Sequence, residues 1–381
     1  MQRGYKVELD LNNKQRTLCA KHAGSARYAY NWGLARKQAA REAGEKSPSA
    51  IDLHRELNLL KQGELAWLYE VSKCAPQEAL RDLDRAYTNF YRRVKSGKGK
   101  PGFPKFKSKK RSRPSFRLTG SIRVSERHIQ LPRLGKLRLK EAGYIPQGAK
   151  VLSATVSERA GRWFVAVLVD IQQAEPIPAT GEPVGCDWGL KTMLVTSDRR
   201  EYANPHALKR NLKKLARLNR SLHRKQKGSN NREQARKQLA RLHYRIACIR
   251  QDAIHKATTD VVAKTKPGDQ RPCVVVIEDL NAAGMLQNHK LALEVNDVGP
   301  SKFKWQFKYK TRWTGSKLLL ADRWYPSSKL CSGCGSRKEV LALSERIYNC
   351  ESCGLVLDRD QNAARNLASL ASETTASYAE S

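Results

Sequence analysis

Acidic residues are scarce in this sequence: 36 Asp and Glu stand against 72 Lys and Arg, a net charge of +36 over 381 residues. A chain so unbalanced repels itself when it compacts, and the usual remedy is a polyanionic partner, most often nucleic acid. Long apolar runs are also missing. The longer ones, such as Phe164 to Val169, fall far short of the ~20 residues of a membrane-spanning helix. Met1 to Asp10 lacks the apolar core of a secretory signal. These absences argue against a membrane protein, a secreted protein and a small-molecule enzyme of ordinary surface, and a cytoplasmic protein is expected. Disorder is no better supported, because 40% of the residues are apolar, enough to form real cores.

The nine cysteines are an odd number, which fits reduced thiols better than a disulfide framework. Five are scattered among apolar or helical residues, where a thiol behaves as a small hydrophobe. The other four form Cys331-x-x-Cys334 and Cys350-x-x-Cys353, with 15 residues between the pairs. Gly335 and Gly354 follow the pairs and permit tight knuckles. Four thiolates at this spacing suit tetrahedral Zn²⁺ and fill its shell, so one structural zinc is expected rather than a catalytic one.

Periodicity divides the chain. Tyr5, Val7 and Leu9 alternate as a strand, and helices are expected at about 14–43, 51–61 and 77–94. Leu80, Leu83, Ala86 and Phe90 form the apolar stripe of the last. Alternation returns from Phe116 to Asp170 and predicts a small antiparallel sheet or barrel. If the first strand joins it, the helices are an insertion into a β domain. Pro176, Pro178 and Pro183 mark a boundary. Beyond it, strands are expected at 184–187, 192–196, 273–278 and 318–323, and helices at about 206–225, 231–263 and 361–370. A disordered tail is expected over 373–381.

The charge is concentrated in two places. Residues 92–117 hold 12 Lys and Arg and no acid, with Phe103 and Phe106 set among Gly and Pro. Residues 209–256 hold 16 Lys and Arg against Glu233 and Asp252, with one apolar stripe per helix, as in a basic helical hairpin. Together these segments carry 26 of the 36 net charges. Lys98, Lys100, Lys105, Lys107, Arg217, Arg224 and Arg241 are therefore candidate contacts to a nucleic-acid backbone.

Within so basic a chain, three acids sit where apolar strands end or the last helix begins: Asp187, Glu278 and Asp360. Each has an ordinary reading: a turn, a lysine partner, a helix cap. Together they point to a divalent-metal site. Hard oxygen ligands suit Mg²⁺, with Mn²⁺ an alternative, and two such ions ~4 Å apart can drive phosphodiester hydrolysis.

The run Val184-Gly-Cys-Asp-Trp-Gly-Leu-Lys-Thr192 resembles the first RuvC motif of the TnpB family, the OrfB-type nucleases of bacterial insertion elements. Val276-Ile-Glu-Asp-Leu-Asn281, Tyr325-Pro-Ser-Ser-Lys-Leu-Cys-Ser-Gly-Cys-Gly335 and Cys353-Gly-Leu-Val-Leu-Asp-Arg-Asp-Gln-Asn-Ala-Ala364 resemble its later motifs. The resemblance spans nearly the whole chain and is most specific over 184–366. It implies an α+β multidomain fold. A β-barrel wedge domain (1–12 and 115–178) carries an inserted helical recognition domain with the basic loop (13–114). An RNase H-like RuvC nuclease domain (179–325 and 355–372) carries an inserted zinc ribbon (326–354). It also implies an RNA-guided DNA endonuclease, related to type V CRISPR effectors. Its partners would be a guide RNA from the element end and target double-stranded DNA, without membrane or small-molecule substrate. Asp187, Glu278 and Asp360 would be the catalytic Mg²⁺ ligands, with Asp-x-Asn-Ala-Ala selecting Asp360 over Asp358. Lys73 and Gln77 would read a short motif beside the target. Three other readings compete: a nuclease-inactive guided repressor, a transposase acting by strand transfer, and a non-catalytic zinc-ribbon RNA-binding protein. All three acids are present, and their order Asp, Glu, Asp favours hydrolysis over strand transfer.

Overall fold

Alternating burial along Tyr5 to Leu9 sets the first strand, β1 (Gln2–Asp10), and Asn12 turns the chain into α1 (Asn13–Glu42). The Asn12 side chain accepts from Gln15 N at 2.9 Å, while Asn12 N donates to Gln15 Oε1 at 3.1 Å, a reciprocal capping box. The computed structural model describes residues 2–97, 101–171, 175–263, 265–342 and 344–379, with side chains as far as residue 372. It divides into two units, Met1–Gln173 and Ala174–Ser381.

In the first unit, α1 is followed by α2 (Ala50–Leu60) and α3 (Cys74–Ser96). A Cβ on Gly33 would lie 2.7 Å from Leu80 Cδ2, so this glycine lets α1 approach α3 closely. Gly97, at φ 60°, ends α3 in the left-handed conformation. Six strands come next: β2 (Ser115–Leu118), β3 (Arg123–Val124), β4 (His128–Leu131), β5 (Gly135–Leu139), β6 (Lys150–Arg159) and β7 (Arg162–Asp170). The sheet order is β2-β6-β7-β1-β5-β4-β3. β1 pairs along its length with β7 and, at Leu9 and Asp10, with β5. In chain order the three helices thus fall between strands of one antiparallel sheet. Among the described residues β2 and β3 do not pair, so the ladder is open where a barrel was expected. β3 spans only two residues and pairs with β4. One continuous apolar core runs from Val7, Val165 and Val167 of the sheet to Leu34, Leu80 and Leu83 of the helices.

The second unit is built on a five-stranded sheet. It begins with β8 (Val184–Asp187), β9 (Thr192–Thr196) and β10 (Glu201–Ala203), then α4 (Leu212–His223) and α5 (Asn230–Val261). β11 (Val274–Glu278), α6 (Ala282–Gln287), α7 (Ala292–Val298), α8 (Pro300–Thr314) and β12 (Lys317–Ala321) follow. The hairpin β13 (Ile347–Asn349) and β14 (Val356–Asp358) leads into α9 (Arg359–Ala379). The strand order is β10-β9-β8-β11-β12, with β8, β11 and β12 parallel. Parallel neighbours need a long crossover, and α4 and α5 lie in the one from β8 to β11. β10, α6, α7, the hairpin and the full length of α8 add to the expected elements. α9 runs on through Ala379, where a disordered tail was expected from 373. Ser, Thr and Ala there interpose no Gly or Pro to stop a helix. Residues 380–381 lie outside the described residues. No helix among the described residues is long and apolar enough to cross a membrane.

Candidate active site

Parallel pairing sets Val275 opposite Val184 and Ile277 opposite Cys186. One step further along each strand stand Asp187 and Glu278, at adjacent carboxyl ends. All four residues of β8 are buried, and Asp187 is only 8% exposed. Burial of a carboxylate costs several kcal/mol unless a cation compensates it. Burial first, then the charges of Glu278 and Asp360, push the Asp187 carboxyl well above the ordinary carboxylate range.

The third acid arrives on α9, which packs on β8 at Gly185. A Cβ there would lie 2.0 Å from Ala364 O and 2.5 Å from Ala368 N, so any other residue drives the helix off the strand. A Cβ on Gly189 would lie 3.6 Å from Asp360 Oδ2, which places that carboxylate beside the turn after Asp187.

Two neighbouring acids could be confused with these, and their contacts separate them. Asp358 Oδ1 accepts from Asp360 N at 2.9 Å and from Gln361 N at 3.1 Å, so Asp358 caps α9. Asp360, spared that duty, is raised in pKa by burial and then by the charge of Asp358. Asp279 takes the bases, with Lys304 Nζ at 2.6 Å and Arg323 Nη2 at 3.1 Å. Lys304 first among these holds Asp279 below its usual range. Glu278 Oε1 instead accepts from Ser327 Oγ at 2.7 Å. Asp187 is buried while Glu278 and Asp360 are half-buried, and these hard oxygen donors are of the type that suits a divalent cation. A cavity of ≈ 320 Å³ lined in part by Trp188, Glu278, Phe303 and Phe307 adjoins the site.

The four paired cysteines also converge, their Sγ atoms all within 4.8 Å of one another. Cys331 and Cys353 are 3.6 Å apart, as are Cys334 and Cys350. Metal–sulfur bonds of ~2.3 Å give a tetrahedron with edges of about 3.8 Å, so the cluster can bind a metal as it stands. Gly335 and Gly354 adopt φ 76° and 73°, the left-handed backbone that turns each knuckle. The Ser336 hydroxyl lies 3.2 Å from both Cys334 and Cys350 and is the main influence lowering both thiol pKa values. Asn362 and Asn366, buried on α9, join this region to the helix. Asn362 Oδ1 accepts from Ser332 N at 2.9 Å and its Nδ2 donates to Leu330 O at 2.6 Å. Asn366 Nδ2 donates to Ser327 O at 2.8 Å and to Leu330 O at 2.7 Å. The sequence motifs include Ser327 and Asn362 without a role for either side chain, and they leave out Asn366. The two asparagines, four apart on one helix face amid alanines, were the available signal.

The basic candidates fare differently. Lys73 is exposed just before α3, and Gln77 is half-buried one turn later. Lys105, Arg217, Arg224 and Arg241 are exposed. Lys98 and Lys100 lie outside the described residues. Lys107 departs from expectation: its Nζ sits 3.6 Å from the Tyr30 ring centroid, and burial lowers its pKa. Asn31 grips its backbone on both sides, at 2.9 and 2.8 Å, so Lys107 ties the loop to α1 rather than offering a free cation. Phe103 likewise packs edge-on against Tyr87 and Phe90, at 5.6 and 5.3 Å, instead of standing ready to stack on a base.

Fold and site define a mixed α+β protein with Asp187 and Glu278 at adjacent parallel strand ends and a cysteine cluster able to bind a metal. Residues 166–289 match the OrfB family, described as "Probable transposase", and residues 301–367 match "Cas12f1-like, TNB domain". Residues 1–46 match a "Helix-turn-helix domain", although the described residues among them form one strand, β1, and one uninterrupted helix, α1. A "Putative RNA-guided DNA endonuclease" of Streptomyces pristinaespiralis is 36% identical, over 96% of this chain and 89% of the relative. "Putative RNA-guided DNA endonuclease InsQ" of Escherichia coli (strain K12) is 30% identical, over 95% and 90%. The solved "mini-RNA-guided endonuclease CRISPR-Cas_phi3" aligns over 97% of this chain and 92% of its own, with a TM-score of 0.49 at 7% identity. The chain belongs to the TnpB (OrfB) family.

Proposed function

We propose that this protein is an RNA-guided DNA endonuclease of an insertion element, cutting double-stranded DNA beside a short recognition motif. The observation that carries the reading is the buried Asp187, raised in pKa beside Glu278 and Asp360 in a protein with twice as many bases as acids. The family relatives named above support it. In this reading the second unit is an RNase H-like RuvC nuclease with a zinc ribbon at 326–354, and the first a wedge sheet with a helical recognition insert. Asp187, Glu278 and Asp360 would hold Mg²⁺ or Mn²⁺, and Cys331, Cys334, Cys350 and Cys353 a structural Zn²⁺. Divalent ions supply Lewis acidity toward phosphate oxygens.

The chain's own residues set the stage for that chemistry. β8 and β11 fix two carboxylates at adjacent strand ends, and Asp358 caps α9 so that Asp360 stays available. Asp279 keeps Lys304 and Arg323 from neutralising Glu278. The exposed Lys73, Lys105, Arg217, Arg224 and Arg241, with Gln77, would bind guide and target backbones, leaving most sequence selection to base pairing.

The test is a cleavage assay with copurifying RNA, matched target DNA and Mg²⁺. Asp187→Ala, Glu278→Ala and Asp360→Ala each abolish cutting while RNA binding persists. Undiminished cutting by these variants rejects the site.

A further inference from the structure

The Glu278 carboxylate accepts a hydrogen bond from the Ser327 hydroxyl, at 2.7 Å on Oε1. Ser327 is itself buried, on the turn between β12 and the first cysteine pair. Its backbone is held from both sides. Ser327 N donates to Tyr325 O at 2.9 Å, and Ser327 O accepts from Asn366 Nδ2 at 2.8 Å. Tyr325 is anchored in turn, its hydroxyl donating to Asn366 O at 3.1 Å. Asn366 is 5% exposed and six residues beyond Asp360 on α9. One asparagine on the helix that carries the third acid therefore fixes the serine that orients the second.

We propose that Ser327 is a positioning residue for Glu278, held in register by Asn366, so that the two acids from β11 and α9 are aligned through one hydrogen-bonded link. The proposal rests on the triad reading above. A carboxylate at a strand end retains freedom about its side-chain torsions. A donor on one oxygen fixes the plane of the group and leaves the other oxygen's lone pairs for a cation. Such supporting contacts to ligating groups typically matter 10–100-fold in metal affinity or activity.

The experiment measures Mn²⁺ binding to the guide-bound protein by electron paramagnetic resonance titration, alongside target cleavage and thermal unfolding. Ser327→Ala is expected to weaken Mn²⁺ binding about 10–100-fold, with RNA binding and thermal midpoint unchanged. Ser327→Thr, which keeps the hydroxyl, restores the affinity. Asn366→Asp, which removes the amide donor, shifts Mn²⁺ binding in the same direction as Ser327→Ala and serves if that variant folds poorly. Wild-type Mn²⁺ affinity in Ser327→Ala, or a loss in Ser327→Thr equal to it, overturns the proposal while the triad stands. Mn²⁺ binding left at the wild-type level by Asp187→Asn overturns the triad reading and this proposal with it.

Discussion

The two units solve stability in different ways. In the first, strands and helices share one continuous apolar core, and even its buried histidine is satisfied by backbone. In the second, the apolar residues split into smaller clusters around the main sheet, the α4–α5 pair and the cysteines. Polar groups fill the gaps: Thr258, Gln306, Lys310, Asn362 and Asn366 are all buried. The first unit is stabilised mostly by apolar burial. The second gives up part of that to gather carboxylates and cysteines, groups that on the proposed reading bound cations would compensate.

The comparison is sharpened most by removing a charge from the carboxylate cluster. Asp187→Asn should lower the cleavage rate by at least about 10³-fold, on the scale of losing an essential catalytic group. It should also raise the thermal midpoint of the metal-free protein. The sign follows from the raised pKa. A carboxyl whose pKa is raised on folding costs stability as pH rises from its ordinary 3.8 through the raised folded value, and the amide removes that cost. A midpoint unchanged or lowered in metal-free buffer contradicts this account.

Next in size is the cysteine cluster. Chelation or Cys350→Ser should cost several kcal/mol of local stability, since structural metal sites contribute folding energy directly. Hydrogen exchange should rise in β13, β14 and the start of α9, with no change in β1, β6 and β7. Equal loss in both units would break the contrast.

The first unit should answer to an apolar deletion instead. Leu80→Ala, at a fully buried position, is expected to cost about 2–5 kcal/mol, read by denaturant unfolding. A smaller pH effect follows from His22. Its Nε2 accepts from Ser72 N at 3.0 Å, so the ring is neutral with the proton on Nδ1, facing Leu18 O at 2.8 Å. Burial lowers its pKa from 6.5, so stability is complete above that value and is lost as pH falls toward the folded one. His22→Gln should flatten that dependence in exchange measurements on α1. Least of all, Lys105→Ala should reduce the salt slope of RNA binding by about one, whereas Lys107→Ala should loosen the contact to Tyr30.

Much of this architecture was legible because periodicity and burial agree. The alternation at Tyr5 to Leu9 and Trp163 to Val169 reports strands with one face in the core, and the paired cysteines announce their own geometry. α8 was harder to see, because its inward face includes Gln306, Lys310, Thr311 and Thr314, which mimic a solvated surface. Lys310 shows why: its ammonium donates to His255 O, Thr258 Oγ1 and Thr259 Oγ1 at 2.8, 2.6 and 2.7 Å. Charge counting misplaced Lys107 and composition misplaced Phe103 for a related reason. A residue's type does not say whether a neighbouring ring has already claimed it. For the acids, position at strand ends and the family pattern singled out Asp187, Glu278 and Asp360, and the contacts of Asp358 and Asp279 show what those neighbours do instead.

The close seat of α9 on Gly185 also has a consequence in time. On the proposed triad, a nascent chain that has emerged through β11 carries two of the three acids and lacks the helix that supplies the last. The cutting centre therefore closes only after the ribosome has translated past Ala364 and Ala368 and the helix has settled on the bare glycine. A product truncated before that helix would lack the third acid and leave the Gly185 face of the sheet uncovered.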